Sequence, residues 1–176
     1  MDLKAEGCCR RLIFEGVSVM NSENEHKLFQ EFPDLFKKDL LSRGFECQDG
    51  WFALLYELAG QLENYLAGNK GCEKPQILMV RQQMGELRID VFGGDQVIRR
   101  MIRQTQDKAR AVCELDGEPA IGLFVCAPYW YRCLCRKCAE LHDCMDIEDL
   151  RHEDSTVAII NELHLKEINL SEELFL

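Results

Sequence analysis

A chain of 176 residues, 47% hydrophobic and 30% charged, is long enough to bury one core and too apolar in composition to stay disordered. Its net charge of −10 argues against a generally basic nucleic-acid binder, and apolar runs such as FALLYELAG at 52–60 fall short of the ~20 residues a membrane span needs. Ten cysteines in a chain of this size, with neither the h-region nor the cleavage site of a secretory leader in CCRRLIF, point to mostly free thiols and a cytoplasmic protein.

The first nineteen residues are weakly patterned, and Met20 opens a polar lead into a helix. SENEHKLFQEF offers Ser22 as N-cap with Glu25 three residues on, a capping box, and sets Leu28, Phe29 and Phe32 on one apolar side. Pro33 interrupts, and DLFKKDLLSRG predicts a second short turn of helix that stops at Gly44. DGWFALLYELAGQLENYLAG gives the clearest helix, from Trp51 to Leu66, with apolar residues recurring at three and four. PQILMVRQQM and ELRIDVFG predict a hairpin about Gly85, since Leu87, Ile89 and Val91 alternate with Arg88 and Asp90. A second long helix follows Asp95, with Val97, Ile98, Met101, Ile102, Thr105, Ala109 and Val112 inward and Arg99, Arg103, Gln106 and Arg110 along an outer ridge. AIGLFVC and YWYRCLC predict two strands, RKCAELHDCM a short helix, and 155–165 a last strand or helix.

These elements make one α+β domain over residues 1–176: a helical N-terminal part and a small, mostly antiparallel sheet packed against two long helices. Residues 1–19 form an extension and 139–176 an acidic segment. From Ala139 to Leu176 there are eleven acidic residues against Arg151 and Lys166, a balance of −9, so 20 acids and 19 bases remain for the rest.

Residues 111–140 have the outline of a zinc ribbon. Zinc takes four ligands, commonly from two C-x-x-C turns that aim both sulfurs inward. Cys135 and Cys138 keep that spacing, whereas Cys113 is followed three positions later by Asp116. The expected set is therefore Cys113, Cys135 and Cys138 with Asp116 or His142 as the fourth ligand, and Cys126 and Cys133 as spare donors. Packing offers the alternative, because strand alternation in YWYRCLC sends Cys133 and Cys135 to the same side without any metal.

FPDLF at 32–36, GFECQDGWFALLYELAGQLE at 44–63, MVRQQMGELRIDVFGG at 79–94 and CELDGEPA at 113–120 resemble an uncharacterised family of small phage and prophage proteins. There the blocks read approximately Y-P-x-L-F, G-F-E-C-G-D-G-W, V-K-E-K-F-G-x-L-R-F-Y and C-E-x-C-G-x-P-G, followed by a tryptophan and a closing C-x-x-C or C-x-x-H. The likeness runs through roughly residues 32–140 in unbroken order. It implies a mobile-element origin and a zinc-ribbon ancestry, with Cys113, Asp116, Cys135 and Cys138 at the ligand places and Asp116 standing where the family has cysteine. It implies no mechanism.

An enzyme is not expected. Cys47, Cys135 or Cys138 with His142 or His152 forms no recognisable nucleophile signature, and VFGGDQ lacks the further glycines or the lysine of a phosphate loop. The expected function is protein binding by a phage or mobile-element product, an inhibitor of a host protein such as a nucleic-acid-binding defence enzyme. Asp143, Asp146, Glu148, Asp149, Glu153 and Asp154 would face its basic surface, and Tyr129, Trp130 and Tyr131 would supply aromatic contacts. The alternative is a zinc-ribbon nucleic-acid binder using Arg99, Arg103 and Arg110, although direct nucleic-acid binding is disfavoured by the overall charge. Zinc is the one cofactor expected, no membrane partner is, and a homodimer stays open.

Overall fold

The computed structural model describes residues 19–127 and 130–148. Tyr129, Asp149, His152, Glu153, Asp154 and the element expected at 155–165 lie outside the described residues. Helix α1 (Ser22–Glu31) begins one residue earlier than its capping box suggests: Asn21, not Ser22, is the N-cap, and its side chain accepts the Asn24 N–H at 2.8 Å. Asp49 settles the choice, since its Oδ1 accepts both the Asn21 N–H at 3.0 Å and the Asn24 side-chain amide at 2.9 Å.

After Pro33 the chain makes isolated turns rather than the expected short helix. The Phe36 N–H bonds to the Phe32 carbonyl and the Leu41 N–H to the Lys37 carbonyl, both at 2.9 Å, but neither turn propagates. Burial of Leu35, Phe36 and Leu41 against the core fixes this segment instead. Gly44, at φ +67°, turns it into the short strand β1 (Phe45–Glu46).

A 3-10 turn at Asp49–Trp51 leads into helix α2 (Phe52–Gly68), whose Leu55, Leu58, Ala59 and Leu62 are buried at the spacing of one helical face. Strands β2 (Gln76–Gln83) and β3 (Glu86–Phe92) form the expected hairpin. Its two-residue turn is Met84–Gly85, both at positive φ, which matches the right-handed twist of the flanking strands. β1 joins the other edge of β2 in parallel, Phe45 opposite Val80. Helix α3 (Gln96–Ala109) is capped by Asp95, whose Oδ1 accepts the N–H groups of Val97 at 2.9 Å and Ile98 at 3.0 Å. It packs on α2 and β3 through Ile98, Ile102 and Ala109.

Strands β4 (Gly122–Cys126) and β5 (Trp130–Leu134), helix α4 (Arg136–Leu141) and the two-residue β6 (Met145–Asp146) complete the described chain. The fold is α+β, but the strands form two three-stranded sheets, β1-β2-β3 and β5-β4-β6, where a single sheet was expected. Each sheet has its own core. The first holds Leu28, Phe45, Trp51, Leu58, Ile77 and Ile98, and the second holds Cys113, Phe124, Cys126, Leu134, Cys135, Cys138 and Ala139. No helix among the described residues is long and apolar enough to cross a membrane.

The two parts meet where the 3-10 turn touches the loop around Cys113. Gly50 N–H donates to the Glu114 carbonyl at 2.9 Å, and the fully buried Trp51 donates its indole Nε1–H to the Val112 carbonyl at 3.0 Å. A Cβ on Gly50 would lie 2.1 Å from the Cys113 oxygen, so only glycine allows this approach. The GFECQDGW segment thus holds the first cysteine of the ribbon-like region in place.

Candidate metal centre

Two tight turns supply the donors. In the first, Gly117 at φ +79° lets its N–H reach the Cys113 carbonyl at 3.0 Å, while Cys113 N–H donates to the Glu118 carbonyl at 2.7 Å. Asp116 closes the same turn, its Oδ1 accepting the Glu118 N–H at 3.1 Å. In the second, Cys135 is the N-cap of α4, and its sulfur accepts the Cys138 N–H at 3.4 Å. Glu114 N–H, bonded to the Cys133 carbonyl at 2.9 Å, holds the first turn against the strand that leads into the second.

As a result, one donor atom from each of Cys113, Asp116, Cys135 and Cys138 lies within 4.8 Å of all the others. Asp116 Oδ2 is 3.2 Å from the Cys138 sulfur and 3.4 Å from that of Cys135. Thiolate bonds of about 2.3 Å in a tetrahedron would separate the sulfurs by about 3.8 Å, so the cluster is the size of a single-ion site. It can hold a metal ion.

Without a cation Cys113 and Cys138 keep their protons. Burial pushes Cys113 up to about 11, partly opposed by the N–H groups of Cys135 and Asp116. Burial, reinforced by the Asp116 carboxylate and Cys113, raises Cys138 further. Asp116 loses some solvation, yet hydrogen bonds from the Cys113 and Cys138 thiols and from Glu118 N–H outweigh that and hold its carboxyl below the usual range. A cation entering this site would displace the thiol protons, which couples binding to proton release.

Of the two fourth-ligand candidates, the structure brings in Asp116 and leaves out His142. His142 is the C-cap of α4, and its N–H bonds to the Cys138 carbonyl at 3.1 Å, but its ring does not reach the donor cluster. Burial first and the Arg132 guanidinium second lower its pKa. Neither spare cysteine is available. Cys126 is in a disulfide with Cys144, while Cys133 faces the larger core and donates its thiol to the Arg110 carbonyl at 2.9 Å. Six described cysteines, Cys47, Cys72, Cys113, Cys133, Cys135 and Cys138, are free thiols.

The arginine ridge is exposed on α3, but its charges have nearby partners. Arg99 donates to the Gly93 carbonyl at 3.4 Å, and Arg110 meets Glu86 at 2.7 Å and Asp107 at 3.8 Å. Arg103 lies with Arg88, Glu86 and Asp107 around a depression of about 200 Å³ between α3 and β3. Among the acidic candidates, Asp143 and Glu148 are exposed, and Asp146 is half-buried on β6, its Oδ1 accepting the Glu148 N–H at 2.9 Å. Trp130 and Tyr131 are half-buried on opposite faces of β5, and the Tyr131 carbonyl accepts the Gln82 side-chain amide.

Two features of this region were not anticipated from sequence. One is the Cys126–Cys144 disulfide, which encloses β5 and both residues of the C-x-x-C turn. The other is an ion pair between Glu114 and Arg132 at 3.1 Å, with side chains 0% and 4% exposed, directly behind the first turn. Arg132 interrupts an otherwise apolar strand, which is a legible sign of a buried charge partner. No protein-family model, characterised protein or solved structure matches this chain.

Proposed function

We propose that this chain is a non-enzymatic, zinc-binding protein whose metal centre organises a small module for binding a partner protein with a basic surface. The observation that carries the reading is the convergence of Cys113, Asp116, Cys135 and Cys138 from two separate turns to within 4.8 Å. Three thiolates are soft donors that favour zinc over magnesium or calcium. Zinc would fix β5 and α4 against the first turn, supplying folding free energy to a region with little apolar core.

Charge supports the partner half of the reading. The module leads directly into the acidic segment, and Asp143 and Glu148 already stand exposed at its edge. Like charges packed closely along a chain repel each other, and an opposing basic surface relieves that repulsion. The resemblance to phage and prophage proteins makes inhibition of a host protein the role to test first.

Elemental analysis of the purified protein should find one equivalent of zinc per chain, reduced to background in the double variant Cys135→Ser/Cys138→Ser. A protein free of stoichiometric metal and fully folded in excess chelator would remove zinc from the account. The binding half is tested by charge reversal at Asp143 and Glu148. It should weaken capture by an immobilised basic protein, and a salt-independent, unchanged affinity would count against it.

A further inference from the structure

We infer that the fourth coordination position of this centre is exchangeable: Asp116 is a displaceable ligand, and an external thiolate can take its place on the metal. The inference rests on the zinc reading above and adds the chemical class of ligand that the site accepts.

Three observations carry it. The donors are unequally placed, for Cys113, Cys135 and Cys138 are 0%, 7% and 3% exposed, whereas Asp116 is on the surface. The three sulfurs therefore form the floor of the site, and among the four donors only the carboxylate is exposed. A closed structural zinc site has four such protein ligands, and a site with three keeps a position for an incoming group. Asp116 lies between those cases.

Next, Asp116 presents one oxygen closer than the other: Oδ1 lies 3.7 Å from the Cys135 sulfur. That oxygen is held at 3.1 Å by the Glu118 N–H, and Oδ2 faces Cys138 and Cys135 at 3.2 and 3.4 Å. A single carboxylate oxygen is the hardest donor in a set otherwise made of thiolates, so a fourth thiolate from outside suits a soft-donor metal better.

Finally, the turn does not need the carboxylate on the metal to keep its shape. Gly117 N–H to the Cys113 carbonyl at 3.0 Å, Cys113 N–H to the Glu118 carbonyl at 2.7 Å and Glu114 N–H to the Cys133 carbonyl at 2.9 Å are backbone bonds independent of the Asp116 side chain. Gly50 N–H on the Glu114 carbonyl at 2.9 Å adds a fourth. Asp116 can leave the metal while Cys113 stays where it is. In the exchange an external thiol loses its proton to solvent, its sulfur bonds to the metal, and the Asp116 oxygen dissociates as a free carboxylate; no electrons are transferred.

Cobalt(II) is the probe, because the intensity of its sulfur-to-metal charge-transfer absorption reports the number of bound thiolates. The measurement uses the full chain carrying Cys126→Ser and Cys144→Ser, so that thiol–disulfide exchange contributes nothing, titrated with 2-mercaptoethanol. The band should rise by about one third as three thiolates become four, and saturate. Asp116→Cys should show the higher intensity from the start and not respond to thiol, and Asp116→Ala should respond as the parent does. A cobalt-loaded parent whose three-thiolate spectrum ignores added thiol overturns the inference and leaves the metal reading intact. If neither the wild-type chain with its Cys126–Cys144 disulfide intact nor Asp116→Cys takes up cobalt, the metal reading itself fails; uptake by Asp116→Cys but not by the disulfide-intact wild type overturns both.

Discussion

The two parts of this protein are held together by different means. Around α2, α3 and the β1-β2-β3 sheet, stability comes from apolar side chains of many elements interlocking: Trp51, Phe45, Leu28, Leu58, Ile77 and Ile98 are all under 2% exposed. From Cys113 to Glu148 the described residues are too few to do the same. Four of the seven buried hydrophobics of their core are cysteines, and a disulfide, a buried ion pair and a cluster of metal donors take the place of area. Segments of roughly 40 residues generally need such staples. The comparison shows how a small module can be added to an ordinary core: Gly50 and Trp51 tie it by backbone contact, and its own chemistry does the rest.

The test expected to have the largest effect on the small part is Arg132→Met, which leaves Glu114 buried without its cation. A loss of about 3–5 kcal/mol is expected from denaturant unfolding, with much of it recovered in the double variant Arg132→Met/Glu114→Leu. The two tryptophans divide the readout, Trp51 reporting the large core and Trp130 the small one. Loss at Trp51 before Trp130 would contradict a separate stabilisation of the two parts.

Leu58→Ala probes the other side. Leu58 is 1% exposed on the buried face of α2, and its truncation should cost about 2–5 kcal/mol, read as a lower melting temperature. Metal content should stay at the wild-type level. A melt unchanged from wild type would show that apolar packing is not what holds this part.

Reducing the Cys126–Cys144 bond should cost about 3 kcal/mol, since it closes a loop with a sequence separation of 18 residues. A phosphine reductant should shift the Trp130 transition and spare that of Trp51. Equal shifts at both would mean that the parts unfold as one cooperative unit.

Legibility in the sequence follows the same division. α2, α3 and the β2–β3 hairpin were readable because apolar periodicity alone decides them, and Asp95 and Gly85 mark a cap and a turn that the structure contains. The segment after Pro33 carries a helix-like pattern without being a helix, because burial of Leu35, Phe36 and Leu41 produces that spacing in a chain of turns. At the metal centre, C-x-x-C spacing exposed Cys135 and Cys138, and Cys113 and Asp116 followed by offset. The choice between Asp116 and His142 was not readable, since it depends on where α4 ends and on which side its last residue falls. The disulfide was hidden for a similar reason: only the pairing of β6 with the edge of β4 shows that Cys144 returns to Cys126.

The smallest effect tests the finest correction, the start of α1. The capping box in the sequence assigns the cap to Ser22, but the Asn21 side chain is the one that accepts the Asn24 N–H. Replacing Asn21 by alanine removes that acceptor and keeps the backbone N–H that Asp49 binds at 3.0 Å. Asp49 also holds the Asn24 side chain at 2.9 Å, so the helix start stays partly anchored and the loss should be about 1 kcal/mol. Asn21→Ser should recover most of it, because a serine hydroxyl can accept the same N–H. Ser22→Ala should cost less than Asn21→Ala, and neither should alter metal content or the Trp130 signal, since both residues belong to the large part. If Ser22→Ala is the more costly of the two, the capping box was the better guide and the helix begins one residue later than the structure places it.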